Sequence, residues 1–169
     1  MSEDSLVIEA NRQLDRVLAF FPRVESKASA LFAMNTGLLG VAALNIRVSD
    51  FAQWFLSIPA AVGLACTAVS TYQVYKTMFP DLAGGQGSLI YFREIAARTE
   101  STFIEQFKDR SDAEHANDLL GQIWRNSEIL KLKFDAVKLA FQAFVLSLAP
   151  WAIFLVASSV LRAQVPALR

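Results

Sequence analysis

The chain has 169 residues, of which 54% are apolar and 19% charged, and its sixteen basic residues are balanced by sixteen acidic ones. Zero net charge leaves no electrostatic footprint for a nucleic acid polymer, and the apolar content is high for a water-soluble domain of this length. A single cysteine, Cys66, excludes an intramolecular disulfide framework, and a single distant histidine, His115, argues against a structural zinc site.

Glu3, Asp4, Glu9, Asp15 and Glu25 stud the first 27 residues, so no cleavable signal is expected and the first apolar stretch should stay in the mature protein. Within this segment Val7, Ala10, Leu14, Val17, Phe21 and Val24 recur at alternating steps of three and four, which predicts an amphipathic helix over 1–27 leading into a span. Pro22 cannot donate a backbone hydrogen bond, so a kink or short break is expected near Phe21.

Three stretches contain no Asp, Glu, Lys or Arg: 28–46, 51–75 and 139–161, of 19, 25 and 23 residues. As helices they cover roughly 28 to 37 Å, against a hydrocarbon core of about 30 Å. A soluble bundle would need a polar stripe on each helix, and these runs have none. The fold class read from the sequence is therefore an all-α membrane protein with three transmembrane helices and a cytoplasmic helical extension, in contact with a lipid bilayer. Its parts are a hairpin over 28–75, a cytoplasmic region over 76–138, a third span over 139–161 and an extracytoplasmic tail over 162–169. Thirteen of the sixteen basic residues flank the sides that become cytoplasmic if the N-terminus is inside, and only Arg47, Arg162 and Arg169 fall opposite. That bias places the N-terminus in the cytoplasm and the C-terminus outside.

Small residues form seams. Ser26, Ala30, Ala33, Gly37 and Gly40 in the first span, and Ala61, Ala65 and Ala68 in the second, share the three-and-four spacing that lets two helix backbones approach in lipid. They are expected to face each other in a hairpin turning at 47–50, with Trp54 as an interfacial aromatic. Asn35 needs a partner inside the membrane, and Thr67, Ser70 and Thr71 are the polar residues that a water-lined path would use. A purely structural hydrogen bond is the plainer role for them.

"FPDLAGGQGS" has the composition of a flexible loop, from which Ser88 is expected to cap a helix starting at Leu89 and running to about Arg98. Thr102 with Glu105, and Ser111 with Glu114, have capping-box spacing and predict two further helix starts. From there Leu120, Ile123, Ser127, Leu130, Phe134, Val137 and Phe141 mark one heptad-like face running unbroken into the third span, where Pro150 should produce a kink.

No nucleophile elbow, phosphate-binding loop, HExxH pair or cysteine pair is present, so no catalytic residue, metal or cofactor is assigned and the chain does not read as an enzyme. "GGQG" at 84–87 lacks the strand and the lysine of a P-loop.

Three blocks, in order, carry a resemblance. "ESKASALFAMN" (25–35) has an acidic-x-Lys-Ala run entering a span, with asparagine eight residues after the lysine; "LIYFREIA" (89–96) is an aromatic and Ile-Ala helix; "DLLGQIWRNSEILKLKF" (118–134) has a Gln-Ile and a later lysine before the last span. Together they resemble the transmembrane effector family of bacterial Pycsar antiphage systems, over about residues 12–161. Glu25 stands where that family's aspartate is expected, and Arg93-Glu94 where it often has glycine and an acidic residue.

The resemblance implies an effector in the bacterial inner membrane, and because three spans leave little room for a polar pore within one chain, a homo-oligomer is expected. A partner nucleotide cyclase makes cyclic CMP or cyclic UMP during infection, and the effector then impairs the membrane so that infection aborts. A site for that singly charged messenger would need cationic donors, and Arg93, Arg98, Arg125, Lys131 and Lys133 are the candidates, with a solvated face or lipid headgroups as their plainer role. Glu25 and Lys133 are expected to couple the first helix to the long one. The competing reading is a constitutive membrane anchor or adaptor whose cytoplasmic helices dock a soluble partner.

Overall fold

The computed structural model describes residues 3–79 and 85–164, and every regular element among them is helical. In chain order these are α1 (Glu3–Leu18), α2 (Phe21–Asn45), a 3₁₀ turn (Val48–Ala52), α3 (Trp54–Met78), α4 (Phe92–Ala96), α5 (Glu100–Asp109) and α6 (Asp112–Gln164). The chain divides into two compact units: Met1–Val24 with Pro80–Lys133, and Glu25–Phe79 with Phe134–Arg169. Parts of the expected loop at 80–84 and of the tail beyond 164 lie outside the described residues.

Three helices, carried by α2, α3 and α6, are long and apolar enough to cross a membrane, and only 22 to 28% of their most apolar windows is buried within the chain. The rest of that surface, including Phe32, Leu44, Leu64, Phe141, Leu146 and Val156, points outward. Exposure of this much contiguous apolar area suits hydrocarbon and not water, which makes the chain a membrane protein.

In the membrane unit, each helix turns a regular inward face to its neighbours. On α3 the buried positions are Leu56, Ala60, Gly63, Thr67, Ser70, Val74 and Thr77, a strict alternation of four and three. On α2 they are Ala28, Leu31, Asn35 and Ala42, and on α6 Val137, Ala140, Ala143, Ser147, Trp151, Phe154 and Ser158. Small side chains dominate because close backbone approach, with the dispersion it brings, is what holds helices together in lipid. Two large residues fill what remains: Trp151 and Phe154 pack edge-to-face, 6.0 Å between ring centroids, against Leu56, Ala60 and Ala42.

The small-residue principle holds, but the expected seams do not. Ala30, Ala33, Gly37 and Gly40 are exposed on α2, as are Ala61, Ala65 and Ala68 on α3, and a Cβ added at Gly37 or Gly40 would meet nothing within 4 Å. The inward faces are rotated by one or two residues, because they carry the polar side chains that hydrogen-bond across helices. The seams look outward instead. The long face expected on α6 is met in part: Val137 is buried and Ile123 packs beside the α1 core, whereas Leu120, Ser127 and Phe141 are exposed, and the buried row runs through Ala116, Leu119, Gln122, Lys133, Val137 and Ala140.

Pro22 occupies the second position of α2, where its missing N–H costs nothing, and the chain breaks just before it at Ala19 and Phe20. Pro150 lies inside α6, which stays helical through it. Nearby, Ser147 donates to the Phe144 carbonyl at 2.6 Å.

In the other unit, α1 buries Ala10, Leu14 and Val17 as its periodicity predicts, with Ala10 and Leu14 meeting Leu119 of α6 and flanked by Val7, Ile90 and Ile123. Helix α4 begins at Phe92 and not at Leu89, because the Ser88 hydroxyl accepts from the N–H groups of Ile90 and Tyr91, at 3.0 and 2.9 Å, and fixes a turn there. Helix α5 is capped by Thr99, whose hydroxyl accepts from the Thr102 N–H at 3.3 Å, one turn before the expected start. The second capping box is present: the Glu114 carboxylate accepts from the Ser111 N–H at 2.9 Å and the Ser111 hydroxyl accepts from the Glu114 N–H at 3.3 Å.

Candidate functional site

The membrane unit contains a buried polar layer. Asn35 Nδ2 donates to Ser70 Oγ at 2.8 Å, joining α2 to α3. Trp151 Nε1 donates to Thr67 Oγ1 at 3.1 Å, joining α3 to α6, while Thr67 Oγ1 donates to the Gly63 carbonyl at 2.8 Å. Thr71, half-buried, donates back to the Thr67 carbonyl at 2.9 Å. The four polar residues singled out from the sequence therefore make two separate interhelical bonds, Asn35 to Ser70 between α2 and α3 and Trp151 to Thr67 between α3 and α6, with Thr71 bonded within α3. They are closed against each other, and Asn35 Oδ1 is buried with no hydrogen-bond partner, a cost borne by the packed state. Trp151, which makes the second of these bonds, was not recognisable as its donor from spacing alone.

A second latch sits at the 3₁₀ turn. The Asp50 carboxylate accepts from the Arg47 N–H at 2.8 Å and from Arg162 Nη2 at 2.9 Å, and the same Nη2 donates to the Asn45 carbonyl. This ion pair fastens the end of α6 to the hairpin, and its partly buried carboxylate makes it more than a solvated surface pair.

In the extramembrane unit, the described end of the segment expected to be flexible, residues 85–88, is held. Arg98 donates from Nη1 to the Ser88 and Glu94 carbonyls at 3.1 and 2.6 Å, from Nη2 to the Gly87 carbonyl at 3.0 Å, and from Nε to Gln106 Oε1 at 2.9 Å. The Gly87 N–H donates to Glu94 at 3.0 Å. Gly85 has a φ of +72°, and a Cβ there would lie 2.7 Å from the Tyr91 ring, so only glycine fits.

Two open clefts flank this segment. The first, about 720 Å³, is lined by Gln86–Leu89, Thr102, Gln106, Arg110 and four carboxylates, Glu105, Asp109, Glu114 and Asp118. The second, about 650 Å³, is lined by Gly85, Gln86, Ser88, Asn117, Asp118, Gly121, Gln122, Trp124 and Arg125. Asp118 lies between them. Its Oδ2 accepts from the Leu89 N–H at 2.9 Å and lies 3.7 Å from Arg110 Nη1. Gln122 Nε2 donates to Ser88 Oγ at 3.1 Å, tying α6 to the held segment.

The five cations proposed as messenger ligands are not brought together. Arg98 is a structural clamp, Arg93 and Lys131 are exposed and line neither cleft, and Lys133 is buried with its ammonium 5.4 Å from the Phe21 ring centroid. Arg125 alone lines a cleft, and it also pairs with Glu128 at 3.3 Å. Glu25 is exposed on α2, and the neighbouring Lys27 stacks its ammonium 5.5 Å from the Phe134 ring centroid. Among the described residues no group of three or more His, Cys, Asp or Glu side chains could hold a metal ion.

Comparison with protein families adds one finding: the chain matches the Pycsar effector protein domain over residues 9–158. No curated protein and no solved structure matches it. The matched stretch takes in α2, α3 and nearly all of α6, hence both the polar layer and the clefts. The chain belongs to the Pycsar effector family and is an antiphage defence effector of the membrane type.

Proposed function

We propose that the protein responds to a cyclic pyrimidine nucleotide, cyclic CMP or cyclic UMP made by a partner cyclase during infection, by impairing the bacterial inner membrane. It acts by rearrangement and not by catalysis. The observation that carries this is α6, one uninterrupted helix from Asp112 to Gln164, on which cleft residues 117–125 and the bundle residue Trp151 are parts of the same rod. A displacement at the clefts is thereby delivered to Trp151 and to the Thr67 bond it makes.

The membrane unit is built to have two arrangements. Its polar groups satisfy each other in the packed state at the cost of one orphaned amide oxygen, Asn35 Oδ1. Separation of α3 from both α2 and α6 would break the Asn35–Ser70 and Trp151–Thr67 bonds and turn Asn35, Thr67, Ser70 and Thr71 toward water, giving a hydrated path. Three spans leave little room for such a path inside one chain. The outward seams of Ala30, Ala33, Gly37 and Gly40, and of Ala61, Ala65 and Ala68, offer close approach to further copies, and we assign them to self-association.

The basic-residue bias supports a cytoplasmic N-terminus and extramembrane unit, which is also where a cyclase would release its product. Glu25 and Lys133 keep a coupling role in this scheme, and rescue of either charge reversal, Glu25→Lys or Lys133→Glu, by the other is its test. The test of the function is membrane potential in cells expressing the protein, followed after a membrane-permeant cyclic CMP or cyclic UMP is added. Depolarisation supports the effector. No response to either compound or to an active cyclase favours the constitutive anchor.

A further inference from the structure

The two clefts differ in charge, and the difference decides which one takes a nucleotide. In the first, four carboxylates surround one guanidinium, and that guanidinium, Arg110, stacks on Phe107 at 4.6 Å and faces Asp118. An anion entering there meets net repulsion. Among the described residues, the second cleft is lined by one carboxylate and one guanidinium. Its carboxylate, Asp118, is engaged by the Leu89 N–H and by Arg110, and its guanidinium, Arg125, pairs with Glu128 at 3.3 Å, so this cleft lacks the excess of carboxylates that the first one carries.

On α6, Asn117, Gly121, Trp124 and Arg125 share one face, at steps of four, three and one, and all four line the second cleft. Trp124 is 65% exposed, and among the described residues no other aromatic ring packs on it. Leaving an indole in water forgoes its burial energy, so a large exposed ring on a cleft wall is the mark of a stacking surface. It is not a headgroup anchor: Trp124 precedes the third apolar stretch at Leu139 by fifteen residues, about 22 Å of helix.

Gly121 stands beside it in mid-helix, where glycine costs about 1 kcal/mol relative to alanine. Its backbone angles are helical, and a Cβ there would meet nothing within 4 Å, so neither conformation nor internal packing requires glycine. Open space in front of a bare backbone, next to an exposed indole, admits a flat ring lying close along the helix. The amides of Asn117, Gln86 and Gln122 give donors and acceptors around it, with Gln122 fixed by Ser88.

We propose that this second cleft is the messenger site, binding a nucleobase stacked on Trp124 over the Gly121 backbone, with amide contacts to the base edge and the phosphate drawn to Arg125. The cleft volume of about 650 Å³ is within the range of small-molecule pockets. The assignment rests on the messenger reading given above, and adds the residues that read the base.

The full-length protein in detergent or nanodiscs is titrated with cyclic CMP and with cyclic UMP, reading Trp fluorescence and isothermal calorimetry. Trp124→Ala is expected to weaken binding about tenfold or more, the scale of one base–aromatic stack. Trp124→Phe should retain most of it. Gly121→Leu should abolish binding while leaving the helical circular dichroism intact, and Arg93→Gln, on a residue lining neither cleft, should leave affinity unchanged. Tight binding that survives both Trp124→Ala and Gly121→Leu overturns the site and leaves the messenger reading standing. Absence of binding of either nucleotide to the native protein overturns both.

Discussion

Trp151 lies where a side chain at residue 63 would be: a Cβ on Gly63 would come within 3.0 Å of the indole Nε1 and Cε2. The same Nε1 donates to Thr67, one turn along α3. Glycine, threonine and tryptophan thus form one joint between α3 and α6, in which the absence of a side chain makes room for the ring and the ring satisfies the hydroxyl. Gly63→Ala is expected to destabilise the packed bundle by about 1–3 kcal/mol through overpacking. Trp151→Phe should cost about 1 kcal/mol for the lost hydrogen bond, plus a partial cavity. Unfolding in mixed SDS micelles measures both, and a Gly63→Ala variant as stable as the parent would show that the joint is slack.

Asn35 and Ser70 form the other interhelical bond of the polar layer. A double-mutant cycle with Asn35→Ala and Ser70→Ala is expected to give a coupling of about 0.5–1.5 kcal/mol, the scale of membrane-buried hydrogen bonds. Asn35→Ala also removes the orphaned oxygen, so its single-mutant cost should fall below that of a comparable, fully satisfied amide. Coupling indistinguishable from zero would mean the two side chains do not meet in the bilayer.

Gly37 and Gly40 separate fold from assembly. With open space around both, Gly37→Leu and Gly40→Leu should leave the unfolding of the single chain unchanged while reducing self-association, read by single-molecule photobleaching or cross-linking in membranes. Loss of fold stability with association intact would return these glycines to the interior of the chain.

At the start of α6, the Ser111 N–H and then the Ser111 hydroxyl hold the Glu114 carboxyl below its ordinary range. Burial, aided by Arg110, lowers His115. Both folded-state values lie below the unfolded ones. The Glu114 contribution is complete above the ordinary carboxylate range and is lost as pH falls through the lowered value; His115 loses its contribution earlier, as pH drops below the ordinary imidazole range. Amide exchange in the first turn of α6 should accelerate on acidification in these two steps. Ser111→Ala should raise the exchange of that turn at neutral pH and weaken the lower step without removing it, because the residue 111 N–H still holds the Glu114 carboxylate.

Much of this architecture was legible in residues alone. Uncharged runs of 19 to 25 residues admit little but spans, and the Ser111–Glu114 cap and the α1 face followed from local chemistry. The phase of the helix faces did not. In lipid the inward side is not the most apolar one, so a search for apolar or small rows selects the outward side. On α6 this favoured Leu120 and Phe141, while Lys133, Gln122 and Ser147 lie inside. The residues of the proposed messenger cleft were passed over for a related reason. Selecting by charge found Arg98, whose donors serve the loop at Gly87 and Ser88, and passed over Trp124 and Gly121, whose meaning depends on what stands in front of them.

The most direct measurement is the ion permeability of liposomes containing the purified protein, before and after cyclic CMP or cyclic UMP is added on the side facing the extramembrane unit. Release of a trapped fluorescent dye, or collapse of an imposed potential, within the range of nucleotide that binds is the expected result, and Trp151→Phe/Thr67→Val, which lacks the bond holding α3 to α6, is expected to leak before nucleotide is added. Vesicles that remain sealed with nucleotide bound would contradict the transmission of a cleft event through α6 into the bilayer.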